Sequence, residues 1–590
     1  MGSPEPSAEP SGDKPAIAAL ITAFLGLAVT AWGRGPDPVI TYGDQVYAAW
    51  RFAEGDRLGE ALILPDGPLA TIVQGALFWA VGPSVVALGL LNHLLWALGL
   101  VACWRLTRPR MPAYSAMMVG LTLLVGFVFP HLTSLGNYSL VAPGVPEAAA
   151  GLWLLGMLLV VLDTHTEVSP ARGAVIGLCL GALALTRAEP FLAGVVATVL
   201  ALPILGARPL AQLTLFVVGE GLVGLVALVW GADVALAGLR GHAVDGGAVV
   251  SFGLEAPAEN FGRLLTATAY GVAVALCVLI IDRWTARWPR RASWIEAAAW
   301  LILVPGLLVF VRWSQVGRPL PLIMGLALIV CLGLVWRRRG DSAARRRLVL
   351  PVAAAGAAAV MITPIALNGR IQGDGFTLGA LAALWTVGWG VEGLPSLARI
   401  LWGGGEVARR LMMAAVGSGL LIHVGVSGSF YQRKTYALGG DADSLWVYPP
   451  MESPRSASLV RLQGFLNETI KPGERVLVLP EGALLNVWTR TVSPTAYVSW
   501  SERSRARFGE DVMLAALAQR PPDWVVWIYD DANSSGGRPF GVDDERGAAT
   551  ARFVWDHCVE VVVYGAAPWE DGGYGAAALR CGPNARSFIP

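Results

Sequence analysis

Apolar runs of about one bilayer's length, separated by short breaks rich in arginine, glycine and proline, fill the first 430 residues, and a mixed polar pattern fills the rest. With ~20 apolar residues as one crossing, the runs predict membrane helices over 16–32, 83–104, 113–131, 147–163, 172–186, 190–206, 209–230, 264–282, 293–312, 319–336, 347–367, 377–395 and 409–429. That makes about thirteen spans. The stretch 69–82 is too short and too broken by Gly and Pro to count as one and is expected to lie at the interface or to re-enter.

Arginine placement gives these spans a direction, because arginines in short loops mark the cytoplasmic side. With the N-terminus inside, Arg105, Arg108, Arg110, Arg172, Arg208, the group from Arg283 to Arg291, the runs Arg337 to Arg339 and Arg345 to Arg347, and Arg399, Arg409 and Arg410 all fall inside. The step that decides this is a split at Arg187-Ala188-Glu189-Pro190; one continuous helix there would export every later arginine run. The loop 33–82, the connection 132–146, the turn 187–190, the loop 231–263 and everything after 431 then lie outside.

From 431 to 590 strand-like runs at 476–479, 524–529 and 559–564 and a helical stretch at 511–519 predict one extracytoplasmic α/β domain. Residues 1–15, rich in Pro, Ser, Glu and Gly, read as a disordered cytoplasmic tail. The expected fold is therefore a polytopic α-helical membrane protein with a C-terminal α/β domain.

Composition agrees. Of 590 residues 55% are hydrophobic and only 15% charged, with a mean hydropathy of +0.55, against roughly a quarter charged in ordinary soluble domains. A net charge of +1 gives no reason to expect nucleic acid as a partner. Lysine occurs only at Lys14, Lys434 and Lys471 among many arginines, alanines and glycines, a usage that suggests a GC-rich bacterial genome and a bacterial cytoplasmic membrane. Cys558 and Cys581 lie in the polar domain and are expected to pair if it faces an oxidising compartment, or to be small core residues otherwise.

The loop after the first helix carries Asp37, Asp44, Glu54, Asp56, Glu60 and Asp66, with an amphipathic run Val46, Trp50, Phe52, Leu58 and Leu62 between them. Asp44 has two readings. It can be a base where water meets lipid, or the N-cap of a helix starting near Gln45. Asp66 before Gly67-Pro68 can bind substrate or start a turn, and Glu147 can bind substrate or answer the dipole of its helix. Arg187 and Glu189 can contact substrate or neutralise each other. Arg312, Arg318 and Arg370 can meet a phosphate or snorkel to headgroups. Pro480-Glu481-Gly482 with Trp488, Tyr497 and Trp500 can edge an acceptor cleft or be turn and core residues.

Asp44, Gly55, Asp66-Gly67-Pro68-Leu69 and Gly82 together resemble the first outer loop of GT-C fold membrane glycosyltransferases, of the family 39 or aminoarabinose-transferase-like kind. The resemblance continues at Gly136-Asn137-Tyr138-Ser139 with Pro143 and Glu147, at Leu185 to Pro190, at Gly473 to Glu481 and at Pro521 to Val526. Where related sequences often carry a histidine near the glutamate of the third motif, this chain has Pro146-Glu147-Ala148.

The resemblance implies an inverting transfer of a hexosyl or pentosyl group from a polyprenyl-phosphate-linked sugar to a lipid, glycan or protein acceptor on the outer face of the membrane. Asp44 would act as base, and Asp66, Tyr138, Glu147, Arg187, Glu189 and Arg370 would contact substrate. No cofactor is called for, since the lipid-phosphate sugar is a substrate. No clustered Asp/Glu/His set demands a metal, and a divalent ion stays open. The rival readings are a transporter or flippase for a lipid or envelope polymer, and a non-catalytic family member. Transporters place ionisable groups near the bilayer midplane, whereas here Glu220 is the main such group.

Overall fold

Each of the thirteen apolar segments is helical in the computed structural model, which describes residues 12–35, 39, 43–131, 139–141, 147–164, 166–206, 208–240, 256–310, 316–367, 374–440, 443–529, 539–543, 547–570 and 573–582. Among the described residues eight helices are long and apolar enough to cross a membrane, and shorter apolar helices accompany them. Large apolar side chains such as Leu228, Leu301 and Ile400 face outward. An outward apolar surface on long helices is the mark of a chain whose solvent is lipid.

Close helix pairs are built on small residues. Gly173, Gly177 and Gly181, four apart on Pro170–Ala184, meet the backbone of Pro209–Trp230; a Cβ on Gly177 would lie 2.2 Å from the Leu215 carbonyl oxygen. Where lipid replaces water, association rests on such close packing. Glu220 projects from the exposed side of the second of these helices.

Two expectations need correcting, in the first helix and in the span 377–395. The first helix, Asp13–Ala31, starts inside the stretch read as a tail, because Asp13 pairs with Arg108 at 2.6 Å and Pro15 fits a first turn; residues 1–11 lie outside the described residues. The segment 69–82, read as too short for a span, is a helix, Leu69–Val81, whose 13 residues rise only ~20 Å and indeed cannot cross a bilayer. The span 377–395 belongs to a longer helical stretch: Asp374–Gly388 passes through a π turn, Trp389–Gly393, into Leu394–Trp402, where Pro395 cannot donate to the ladder.

Ion pairs gather the arginine-rich ends. Arg108 meets Asp13, Arg110 meets Asp163, Arg208 meets Glu167, Arg409 meets Glu392 and Arg410 meets Glu296. The other ends meet the C-terminal domain, where Lys434 donates to the Arg34 and Gly35 carbonyls and Asp443 accepts from Val85 N–H at 2.8 Å. The split at Arg187 is real, since Pro170–Ala184 ends before it and Ala188–Leu205 follows, with Arg187 extended between them.

The C-terminal domain has a small hairpin, β1 (Tyr436–Leu438) and β2 (Leu445–Val447), and a four-stranded sheet of β3 (Val476–Leu479), β4 (Trp524–Ile528), β5 (Cys558–Gly565) and β6 (Gly575–Cys581) in the order β3-β4-β6-β5. β3 and β4 run parallel; the other neighbours are antiparallel. Helix Pro454–Thr469 covers one face with Leu459, Leu462 and Leu466, and Glu510–Gln519 and Ala548–His557 cover the other with Met513, Leu517 and Val554. With both faces covered, β3 and β4 are apolar at every position. Cys558 and Cys581 are register partners on β5 and β6 and form a disulfide, as one of the two sequence readings expected.

Candidate active site

The helix Gly43–Ala53 forms because its apolar positions Val46, Tyr47, Ala49 and Trp50 can pack against Leu484 and Val487 of the C-terminal domain. Gly43 permits the approach: a Cβ there would lie 2.6 Å from the Leu484 nitrogen. Tyr47 Oη accepts from the Ser493 N–H at 2.8 Å, which fixes the helix lengthwise.

Asp44 sits within the first turn of this helix, not at its N-cap, so the capping alternative does not hold. Its carboxylate faces the other domain, towards the Ser499 hydroxyl and the N–H groups of Ala483 and Gly482. The residue as a whole is half-buried, yet Oδ1 is shut off from solvent and, among the described residues, has no hydrogen-bond partner. Burial raises the carboxyl pKa from the ordinary 3.8 to about 7, and the three donors pull the other way without cancelling it.

A second cluster lies where the loop after Asp56, the 187–190 turn and the C-terminal domain meet. Arg503, on the helix Glu502–Phe508, grips Asp66 with both terminal nitrogens, Nη1 to Oδ2 at 3.0 Å. Arg187 Nε approaches the same carboxylate at 3.9 Å and Nη2 donates to Glu189 Oε1 at 3.3 Å. Arg507 donates to the carbonyls of Pro65 and Ala237. Arg187, Glu189 and Glu147 are all buried.

Backbone contacts lock this junction. Gly67 N–H donates to the Thr186 carbonyl at 2.9 Å and Leu69 N–H to the Leu185 carbonyl at 3.2 Å. A Cβ on Gly67 would lie 2.1 Å from Leu185 O, and one on Gly238 1.9 Å from Thr186 O. Glu147 Oε1 accepts from Ala70 N–H at 2.8 Å and thereby caps the helix Leu69–Val81, whose own N-cap, Pro68, has no side-chain acceptor. Its Oε2 is buried and, among the described residues, without a partner.

Beside the cluster a cavity of about 260 Å³ opens among Leu58, Leu62, Asp66, Arg240, Arg507 and Phe508. Its walls are largely apolar, and two arginines, Arg240 and Arg507, stand there against two carboxylates, Asp66 and Asp233, with Arg240 paired to Asp233. Among the described residues no group of three or more His, Cys, Asp or Glu could hold a metal ion.

Of the residues singled out in the sequence, Asp66, Glu147, Arg187 and Glu189 come together, and Asp44 stands apart but is tied to the same segment of the other domain. Ser499, which faces Asp44, is 3.0 Å from Ser504, next to Arg503. Tyr138 and Arg370 lie outside the described residues, as does Arg312. Arg318 is buried, so it does not snorkel. Tyr497 and Trp500 are core residues. Arg240, Arg503, Arg507 and Ser499 went unnoticed. The signal for two of them is the run Ser501-Glu502-Arg503-Ser504-Arg505-Ala506-Arg507, where Arg503 and Arg507, four apart, share one helix face.

No protein-family model matches the chain, and no curated protein matches it. Among solved structures, the chain is similar to ArnT from Cupriavidus metallidurans in the apo state (12% identity, TM-score 0.48, 98% of this chain and 99% of that one) and bound to undecaprenyl phosphate (12%, 0.43, 98% and 99%). It is also similar to the archaeal oligosaccharyltransferase AglB from Archaeoglobus fulgidus in complex with an inhibitory peptide and a dolichol-phosphate (12%, 0.45, 87% and 69%). All three are distant likenesses.

Proposed function

We propose that the protein is a GT-C-type membrane glycosyltransferase that moves a sugar from a polyprenyl-phosphate donor to an acceptor on the outer face of a bacterial cytoplasmic membrane, with inversion and with Asp44 as base. The reading rests first on Asp44, a carboxylate after the first helix whose burial holds its pKa at about 7 and whose Oδ1 has no hydrogen-bond partner among the described residues. A base is most effective when its pKa lies near the working pH, contributing about 10²–10⁴-fold.

In the proposed reaction the acceptor hydroxyl or amine attacks the anomeric carbon, its proton passes to Asp44, and the bond from that carbon to the phosphate oxygen breaks. The polyprenyl phosphate departs with the bonding pair. The leaving group needs cations, not an acid, and Arg240 and Arg507 edge the nearby cavity. Arg503 and Arg187 hold Asp66 between them, so Asp66 orients these arginines, while Glu189 pairs with Arg187 and Glu147 caps the helix Leu69–Val81 that follows Asp66. Tyr138 and Arg370 complete the set of proposed substrate contacts. The disulfide supports an outer face for the C-terminal domain, because such bonds persist in oxidising compartments.

The test is a strain lacking the protein, with its envelope glycans and polyprenyl-phosphate sugars compared with wild type. Accumulation of an unused donor on the outer leaflet is expected. Unchanged glycans and donors, or a lipid stranded on the inner leaflet, would reject the transferase.

A further inference from the structure

Glu220 stands where a membrane helix ordinarily carries no charge. It lies at the middle of the 22-residue helix Pro209–Trp230, ~15 Å from either end at 1.5 Å per residue, too deep for so short a side chain to reach the interface. It is exposed and, among the described residues, has neither an ion-pair nor a hydrogen-bond partner. Ionisable groups at such depth almost always face the interior of a bundle and are paired there. This one faces outward.

The helix has two opposite faces. On one, Ala211, Leu215 and Val226 are buried and Gly219 lies against Gly177 of the neighbouring helix Pro170–Ala184. On the other, Leu213, Val217, Glu220, Gly221, Gly224 and Leu228 are all exposed, and at 3.6 residues per turn they form a single stripe about 100° wide. A Cβ on Gly221 or Gly224 would meet nothing within 4 Å. Glycine weakens a helix interior relative to alanine, and the close packing that explains Gly219 does not explain these two. What they permit is the approach of another helix from outside, the use that small residues have in membranes.

Glu220 decides what covers the stripe. A carboxyl group in hydrocarbon needs a hydrogen-bonding partner, which lipid chains cannot supply. Among the described residues every lysine and arginine of the spanning helices lies near a helix end, so at this depth a second copy of the chain offers no cation, but it does offer its own Glu220. A carboxylic acid group both donates and accepts, and two of them meet face to face through a pair of O–H···O bonds. The stripe is therefore self-complementary, the condition for a two-fold contact. We propose that this face is a dimer interface between two copies of the chain, the two helices crossing at Gly221 and Gly224 and the two Glu220 carboxyl groups bonded to each other. The interface does not depend on the proposed sugar transfer.

The test uses the full chain, fluorescently labelled and reconstituted in liposomes over a series of protein-to-lipid ratios, with the chains in each spot counted by photobleaching. Wild type is expected to pass from one chain to two as the ratio rises and to stop there. Glu220→Leu should weaken the dimer by about tenfold, or ~1.4 kcal/mol, the scale of interhelical hydrogen bonds in membranes. Glu220→Gln should dimerise like wild type, since a carboxamide also donates and accepts. Gly224→Leu, which holds the helices apart, should weaken the dimer as Glu220→Leu does, whereas Gly262→Leu, on another helix where a Cβ also meets nothing within 4 Å, should not. A second measurement needs no loss of association: in cell membranes, with the exposed native thiol Cys277 replaced by serine, Gly224→Cys should form a disulfide-linked dimer on mild oxidation. A wild type that stays monomeric at every ratio, a dimer unaffected by Glu220→Leu, equal loss in Glu220→Gln and Glu220→Leu, failure of Gly224→Cys to cross-link, or purification in equimolar complex with a different membrane protein and no dimer would each overturn the proposal.

Discussion

Arg503 holds Asp66 with both terminal nitrogens of its guanidinium, joining the C-terminal domain to the loop that leads into the helix Leu69–Val81. Both side chains are mostly shielded, 29% and 21% exposed, so the pair is worth more than a surface ion pair, about 1–3 kcal/mol for hydrogen bonds to charged groups. Arg503→Ala and Asp66→Ala should each lower the melting temperature. The double variant should be less destabilised than the sum, as a double-mutant cycle by thermal denaturation would read. Arg503→Lys should not restore stability, because one ammonium cannot replace a two-pronged grip. Additive effects would show that the contact contributes nothing.

A second prediction concerns the backbone junction. Gly67→Ala and Gly238→Ala each push a methyl group into a carbonyl oxygen of the 185–186 turn, at 2.1 and 1.9 Å. Backbone cannot yield as a side-chain tip can, and both variants are expected to express poorly or melt several degrees lower. Gly262→Ala, with open space around it, should match wild type or exceed it slightly, alanine being the better helix former.

Much of this architecture is legible in the chain because lipid imposes a strict rule: apolar runs of spanning length become helices, and arginines sort their ends. The break at Arg187-Ala188-Glu189-Pro190 is readable for the same reason, since a charged pair followed by proline cannot continue a span. The helix Leu69–Val81 is legible only as a stretch too short to span, because its cap, Glu147, comes from 77 residues away. Strand β6 is missed because Ala576, Ala577 and Ala578 carry no β signal; they fit because Trp527 stands opposite Ala577 and fills the space. Asp66, Glu147, Arg187 and Glu189 can be picked out as charges at helix ends, but their partner Arg503 cannot, because only the fold brings a residue 437 positions on to Asp66.

The third prediction is topological. If the arginine-rich ends are inside, the C-terminal domain is outside, and a reporter active only in the cytoplasm, fused after Pro590, should be silent. The Cys558–Cys581 bond should then form in cells, and alkylation under non-reducing conditions should leave both thiols unlabelled. An active reporter, or labelling of both cysteines without a reductant, would place the domain inside.

The fourth prediction follows from the raised pKa of Asp44. In the unfolded chain this carboxyl ionises near 3.8, and in the folded protein near 7. Between those values the native state holds a proton that the unfolded state has lost, so this group's contribution to stability is full below about pH 4, falls as pH rises, and is level above about 7. A base must be ionised to act, so activity should rise across the same window with a midpoint near pH 7. The pH profile of kcat/KM for the free enzyme checks the second part. Melting curves of wild type and Asp44→Asn, compared at pH 5 and pH 8, check the first; the wild type alone should lose stability at the higher pH on account of this site.

The proposed function depends most on Asp44→Asn itself. Asparagine has the same size, and its carbonyl oxygen can still accept from the N–H groups of Gly482 and Ala483, so the helix Gly43–Ala53 should stay seated on Leu484 and the protein should insert and fold. Donor binding should persist as well, since Arg240 and Arg507 are untouched. What asparagine cannot do is take the acceptor's proton. Transfer should therefore fall by on the order of 10²-fold or more, with kcat reduced and the donor Kd little changed. Asp66→Asn is the comparison: it weakens the grip of Arg503 and so should cost stability and donor affinity more than kcat. Transfer by Asp44→Asn at the wild-type rate would make Asp44 a residue of the domain interface only, held there by the same three donors, and would remove the base from the proposed reaction.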